Sequence, residues 1–560
     1  MSENRKRSSR RGARAAKHAL RAAPLDDADR PVRPGLDGGR FQPLTDSDVV
    51  KINEAVMTAL ETIGLAQATP SIIEKVTEAG GRYTDGRVFF PRALIEDTLA
   101  SCAKEFTLCG QDPQHDIEIS GSRVYFGTAG AAVHIVDIEG REYRDSTLQD
   151  LYDMARLVDR MDNIHLFQRC LVARDMEKPA DLDFNTCYAA VSGTTKHVGS
   201  SWVSVENFNR SIEMLHHIAG GEKAFRQRPF VSMSNCFVVP PLRFSEDSCD
   251  CLEAAVLAGM PVLLLAAGQA GATSPAALAG AVVQEVAEVL AGLVYVNLLV
   301  PGHPAIFGTW PFVSDLRTGA MSGGSGEQAV LMAACGQMGR FYGLPTGVAA
   351  GMADAKLPDA QSGAEKAATV TLAAHSGTNI VYESAGMHAS LLGVCYESMV
   401  IDNDMLGSIN RTVRGIEVND DTLSLDAMRE VCVGGPNHYL GHEQTLRLMQ
   451  REYIYPEVGD RTSPKEWVEK EKPVLVETAR QQVDAILTAH FPAHIASEMD
   501  DELRDRFDIK LPRALMTLEA RADHLAGKAE DQGEVDDKGK AENKGEVDNK
   551  GKVEAKDKVV

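Results

Sequence analysis

The sequence predicts an α/β protein: a (βα)8 TIM barrel with a helical N-terminal subdomain, a mostly helical C-terminal segment and disordered ends. Three observations predict it. Short apolar runs rich in small and β-branched residues alternate with helical patterns along the middle of the chain. Those runs are continuously apolar, as strands buried on both faces of a parallel sheet must be. The two ends are polar, charged and poor in core-forming residues.

Taken in order, residues 1–40 carry RKRSSRRGARAAKHALRAA and then a Pro/Asp/Gly stretch, read as a disordered basic arm. It has no apolar h-region, so it is not a secretory signal, and a solvated tail is preferred over a transit peptide. Residues 41–120 form the helical subdomain. DSDVVKINEAVMTALETIGL has apolar positions at helical spacing with a cap at Thr45 or Asp46. GGRYTDGRVFFPRALIEDTLASC then reads as a hairpin followed by a helix.

The barrel is assigned to 121–412. Its eight strands are 124–131, 164–173, 196–204, 229–239, 261–268, 304–312, 345–352 and 378–387. Helices are read at 147–160, 205–219, 245–258, 275–299, 324–342, 361–376 and 389–411. Eight such units fill the usual ~250–290 residues of a closed barrel. The alternative, an open doubly wound sheet, lacks a Gly-x-Gly-x-x-Gly turn at its first unit. Residues 413–526 are the mostly helical segment, and 527–560 repeat a Lys/Gly/Glu unit that cannot build a core.

Composition narrows the function. The chain has 560 residues and a formal charge of -22, from 58 Lys+Arg against 80 Asp+Glu, which repels nucleic acid. Its 10 cysteines are scattered without a Cys-x-x-Cys pair, so free thiols in a reducing cytoplasm are expected. No run is read as approaching the ~18 apolar residues of a membrane span. A cytoplasmic protein that uses neither membrane nor nucleic acid is the expectation.

Barrel chemistry sits at the C-terminal strand ends. These offer Thr128, Gln168 and Arg169, Ser201 and Trp202, Ser234 and Asn235, Gln269, Trp310 and Phe312, Met352 and Asp354, then Glu383, Met387 and His388. No His/carboxylate cluster suits a divalent metal, so none is expected. Two of the three tryptophans fall at strand ends. Aromatic faces beside a carboxylate suit a quaternary ammonium group, which has no N–H to donate. Packing beneath the loops would place the same rings equally well.

Other motifs are weaker. Gly323-Gly324-Ser325-Gly326 reads as a helix N-terminus packed closely on the sheet, since it lacks the Lys-Ser/Thr of a phosphate loop. His438 and His442 could share a helix face but have no third ligand. His216-His217 and the run DDELRDR at 500–506 read as solvated helix surface.

Four segments carry a resemblance: GTWPFVSDLRTGAMSGGSGEQAVLMAACGQMGRFYGLP at 308–345, KLPDAQSGAEKA at 356–367, GTNIVYESAGMHASLLGVCYESMVIDNDML at 377–406 and HYLGHEQTLRLMQREYIYPEVGDR at 438–461. Their order resembles the trimethylamine methyltransferase (MttB) family over about residues 40–510. The resemblance implies a (βα)8 barrel and methyl transfer from a methylated amine to the cobalt of a corrinoid held by a separate small protein. The chain has no Asp-x-His-x-x-Gly motif, so it is not expected to bind cobalamin stably itself. It also has no pyrrolysine, the catalytic residue of the archaeal trimethylamine enzymes. In this it resembles the glycine betaine branch, which uses quaternary amines. Glycine betaine is therefore the expected substrate, with proline betaine, carnitine, dimethylsulfoniopropionate and trimethylamine as alternatives. The alternative from another class is a non-catalytic methylamine-binding barrel, and a homo-oligomeric state is expected. Within that frame Trp202, Trp310, Phe312 and Tyr382 would form the cage. Glu383, or else Asp354, would face the ammonium. Arg169, Gln269 and His388 would offer donors to a substrate carboxylate.

Overall fold

The computed structural model describes residues 30–128 and 130–518. The first 29 residues of the expected basic arm and the whole of the expected 527–560 tail lie outside the described residues. The eight parallel strands of the main sheet and the helix that follows each are numbered here in chain order. The strands are β1 Arg123–Phe126, β2 Leu166–Gln168, β3 His197–Ser200, β4 Val231–Cys236, β5 Val262–Ala266, β6 Ala305–Thr309, β7 Thr346–Ala349 and β8 Ile380–Tyr382. Each falls on one of the runs read from the sequence.

From β2 to β8 every strand pairs in parallel with the next. β8 then pairs in parallel with β1, Ile380 opposite Tyr125. A parallel bridge between Gly127 and Leu166 joins β1 to β2, and the Thr128 hydroxyl donates to the Gln168 carbonyl at 2.5 Å. The sheet therefore curls until its two flanks touch. A ninth strand, Leu36–Asp37, adds antiparallel to β1. The Gly38 and Gly39 N–H groups donate to the Ser122 and His375 carbonyls. The last residues of the expected disordered arm are thus docked on the sheet.

The helices are α1 Leu148–Asp159, α2 Pro179–Gly193, α3 Val205–Ala219, α4 Glu246–Leu257, α5 Leu278–Leu299, α6 Gly326–Phe341, α7 Ala360–His375 and α8 Tyr396–Arg414. α2 is absent from the helices read by periodicity. Every residue from Asp183 to Gly193 is buried, so α2 presents no polar stripe to mark its period. α5 corrects the reading of membrane-length segments. By length and composition it qualifies as a membrane span, but 83% of the qualifying window is buried inside the protein. The helix Asp46–Thr62 packs against it, as do Pro70–Glu78 and Arg92–Ser101. Thr45 starts the first of these with a capping box to Asp48, and buried Val49, Ile52, Val56, Met57 and Leu60 form its apolar stripe.

Ser325 caps α6 by accepting from the Gln328 N–H. A Cβ on Gly323 would meet the Met352 Cβ at 2.7 Å, so this N-terminus is packed closely against β7's loop. Among the described residues, five helices follow α8. Of these, Leu475–Ala489 packs on α8 and α1. Buried Arg156 of α1 donates to the Leu487 and His490 carbonyls and stacks at 3.9 Å on Phe491. Two surface readings need correction here. His442 is the N-cap of Glu443–Leu448, so it shares no helix face with His438. Asp500 and Leu503 of Ser497–Arg506 are buried, and Asp500 accepts from the Tyr188 hydroxyl. Residues 510–518, the described part of a second unit, hold one 3-10 turn at Arg513–Leu515.

Candidate active site

At the C-terminal ends of the strands lies a cavity of about 720 Å³. Gln168 and Arg169 after β2, Trp202 after β3, Ser234 to Cys236 of β4, Trp310 and Phe312 after β6 and Glu383 after β8 line it. Asp183 of α2 and Ser245, Asp247 and Ser248 at the start of α4 complete the wall.

Glu383 is the costliest of these residues. Its φ of 62° is left-handed, a conformation a side chain adopts at about 1–2 kcal/mol. The cross-strand pattern imposes it. The Glu383 N–H donates to the Thr128 carbonyl at 3.1 Å, and Ser384 gives both its N–H and its hydroxyl to the Gly127 carbonyl. The side chain is 1% exposed, and its Oε2 has no hydrogen-bond partner. Burial pushes the carboxyl up to about 8, against a smaller opposing pull from the Gly130 N–H. Gly130 must be small: a Cβ there would stand 2.8 Å from the Glu383 carboxylate.

The aromatic wall is built by extending the ladder past β6. The Trp310 N–H donates to the Ala266 carbonyl and the Phe312 N–H to the Gly268 carbonyl. The two-residue spacing puts both rings on one side. Trp310 leans on Tyr382 with ring centroids 5.3 Å apart at 44°. Trp202 stands edge-on to Phe208 at 5.2 Å. Its backbone is clamped by Asn235, which accepts from the Trp202 N–H and donates to its carbonyl. The indole N–H groups of Trp202 and Trp310 are buried without an acceptor.

Behind this wall, α5 supplies two carboxyl groups that pattern reading passed over. Glu285 accepts from the Gly268 N–H, and Glu288 accepts from the Leu242 N–H at 2.7 Å. Burial and the neighbouring Glu288 drive Glu285 well above the usual carboxyl range, and burial raises Glu288 to about 7. The signal was present in the sequence: two acidic residues, the only charged ones, in a mostly apolar helix.

Five residues expected at the site meet on this cavity: Arg169, Trp202, Trp310, Phe312 and Glu383. Four do not reach its wall. Tyr382 is buried behind Trp310. Gln269 lies in a short strand paired with Phe312, its backbone turned into the loop that follows. His388 is fully buried against the Ser398 hydroxyl at 2.6 Å, and burial beside Lys366 holds it neutral. Asp354 ties three loops, accepting from the Ser322 hydroxyl, the Gly323 N–H and the Ser390 hydroxyl. Among the described residues, no group of three or more His, Cys, Asp or Glu could hold a metal ion.

The family model described as trimethylamine methyltransferase (MTTB) matches residues 7–511. A glycine betaine methyltransferase of Desulfitobacterium hafniense strain Y51 is 30% identical over 471 residues, covering 83% of this chain and 96% of its own. A trimethylamine methyltransferase MttB of Desulfitobacterium hafniense strain DSM 10664 / DCB-2 is 29% identical over 471 residues, 84% of this chain and 94% of its own. A solved dihydropteroate synthase of Xanthomonas albilineans aligns with 56% of this chain and 99% of its own at 12% identity and a TM-score of 0.34, a likeness too slight to weigh.

Proposed function

The chain belongs to the trimethylamine methyltransferase (MTTB) family and is a methyltransferase; from that premise we propose that it moves a methyl group from a small quaternary amine, glycine betaine foremost, to the cobalt(I) of a corrinoid on a separate small protein. The curled sheet is read here as a (βα)8 barrel with the corrinoid protein docking over its C-terminal mouth.

One observation carries this reading. A buried carboxyl group with an unpartnered oxygen, Glu383, shares a cavity with Trp202, Trp310 and Phe312. A methylammonium group supplies what that arrangement lacks: a positive charge without N–H donors, attracted to each ring face by about 0.5–2 kcal/mol. The corrinoid supplies the nucleophile; this chain supplies position. The onium loses its charge as the methyl leaves, so a cage that holds the cation favours the bound substrate at least as much as the transition state. The cage therefore acts by aim and by excluding water, which is where positioned reactants gain most. The departing tertiary amine is neutral and needs no proton donor. Glu383, left without its counter-charge, can then take up a proton because its buried carboxyl titrates near neutral pH.

The cavity's volume also favours a bulkier osmolyte such as proline betaine or carnitine. Dimethylsulfoniopropionate and trimethylamine remain within the same chemistry, and binding without turnover would instead mark a sensor barrel. Ile416, Val418, Leu425 and Leu440 are 85%, 72%, 66% and 83% exposed, which supports a homo-oligomer. A cytoplasmic location completes the proposal. The test is to mix the chain with its reduced corrinoid protein, offer each amine and measure the demethylated product. No product from any of them sinks the proposal.

A further inference from the structure

One stretch of the cavity wall carries donors with nothing to donate to. Arg169 lines the cavity just past β2. Its guanidinium makes no hydrogen bond and no ion pair with the described residues, and the Asp183 carboxylate is the charge that opposes its desolvation. Asp183 does not satisfy it by hydrogen bonding: its Oδ2 accepts from the Val203 N–H at 2.8 Å and from the Asn207 amide at 2.9 Å, and its Oδ1 is buried without a partner, so neither oxygen reaches the guanidinium. A guanidinium holds five N–H donors in a rigid fork and does not deprotonate, so leaving it unmatched in a partly buried wall is costly.

Beside it, Trp202 follows β3, the strand paired directly with β2. Its indole N–H is the second orphan: the residue is 2% exposed and the Nε1 has no acceptor. The Asn235 clamp and the edge of Phe208 fix its position. Neighbouring parallel strands run about 4.8 Å apart. A guanidinium fork and a single indole N–H on adjoining strand ends of one cavity wall are the donor types that a planar anion with two oxygens takes. Trp310 has an equally orphaned Nε1, but it stands on the wall shared with Tyr382, after β6. The cavity thus has Glu383, Trp310 and Phe312 on its cation-binding side, and Trp202 serves the cage by its ring and the other side by its N–H, so a Phe in its place keeps the ring and loses only the donor.

We propose that Arg169 and the Trp202 indole N–H form a carboxylate subsite, which makes the enzyme selective for zwitterionic onium compounds over carboxylate-free ones. This rests on reading the cavity as the quaternary-amine site, and it assigns the selectivity to two named residues.

The experiment compares glycine betaine with tetramethylammonium, which has the same onium and no carboxylate. Arg169→Gln, Arg169→Lys and Trp202→Phe are assayed beside the wild type, with KM and kcat separated and thermal unfolding measured on the same preparations. Arg169→Gln should raise the KM for glycine betaine relative to that for tetramethylammonium by about 100-fold, the usual weight of a charge-assisted pair. Arg169→Lys should recover part of this, and Trp202→Phe should cost about 10-fold on glycine betaine alone. A parallel loss on both substrates, or an unchanged ratio, overturns the subsite. Should the wild type demethylate neither compound, the methyltransfer reading fails instead. Calorimetric binding of the same two compounds to the same variants then decides the subsite by the same ratio.

Discussion

Glu383 concentrates the molecule's conflicts at one residue: a left-handed backbone, a buried carboxyl and an oxygen without a donor. Its titration near 8 instead of the usual 4.5 has a definite sign. Through that window the folded state holds a proton that the unfolded chain has released, so this group's contribution to stability falls as pH rises. Glu383→Gln should therefore melt higher than the wild type, with a gap that widens between pH 5 and pH 9. The same variant should bind glycine betaine more weakly. Calorimetry in buffers of different ionisation enthalpy should find that wild-type binding at pH 7 releases nearly one proton and that binding to the Glu383→Gln variant releases none. A pH-independent gap would place the charge elsewhere. Trp310 poses the complementary question. Trp310→Ala should cost at least about ten-fold in affinity, and Trp310→Phe should recover part of it. Unchanged kinetics in a folded Ala variant would reduce Trp310 to packing. Arg169 and Trp202 were legible as strand-end residues, but their unmatched donors were not, because a missing partner is a fact about space.

At the scale of elements, the loop after β8 shows how a strained residue is held. Lys366 of α7 and Asp402 of α8 are 1% and 5% exposed and meet at 2.6 Å. Asp402 also accepts from the Gly386 N–H at 2.7 Å, three residues beyond Glu383. Two helices thus fix the segment that carries the carboxyl group. Removing one partner of a buried pair strands the other, at about 3–5 kcal/mol. Lys366→Ala should lose that much in denaturant unfolding and raise KM, whereas a loss of stability with unaltered KM would detach this pair from the site. α2 marks the limit of periodicity. Helices buried along most of their length have little polar face, so spacing passes over α2, whereas α5 is read as a helix at 275–299.

Across the whole chain, the N-terminal boundary is the informative one. Residues 1–29 begin with a run rich in Arg, Lys and Ser, and residues 527–560 repeat a Lys/Gly/Glu unit. Deleting both should leave the melting temperature unchanged. Deleting 1–38 should lower it, because Leu36–Asp37 pairs with β1 and the Gly38 N–H bonds the Ser122 carbonyl. Equal melting of the two truncations would show that this strand adds nothing.

Local pattern was enough to set the order of the eight strands and the start of the helix at Asp46. Continuous apolar runs declare buried strands, and Thr45 with Asp48 declares a helix start. Trp310 and Phe312 were legible as a pair because a two-residue spacing fixes their common side. Which strand-end residues share a cavity was settled by the folded chain. Asp354 and His388 lie at the same height in the sequence pattern as Glu383, yet one ties three loops and the other is sealed against Ser398. Hydrogen bonds between residues ten or more positions apart make that difference, and the Glu383 carboxyl is lifted by burial at a point where its backbone is bonded to Thr128, just past β1 and far away in the sequence. Neither quantity is a property of any segment taken alone.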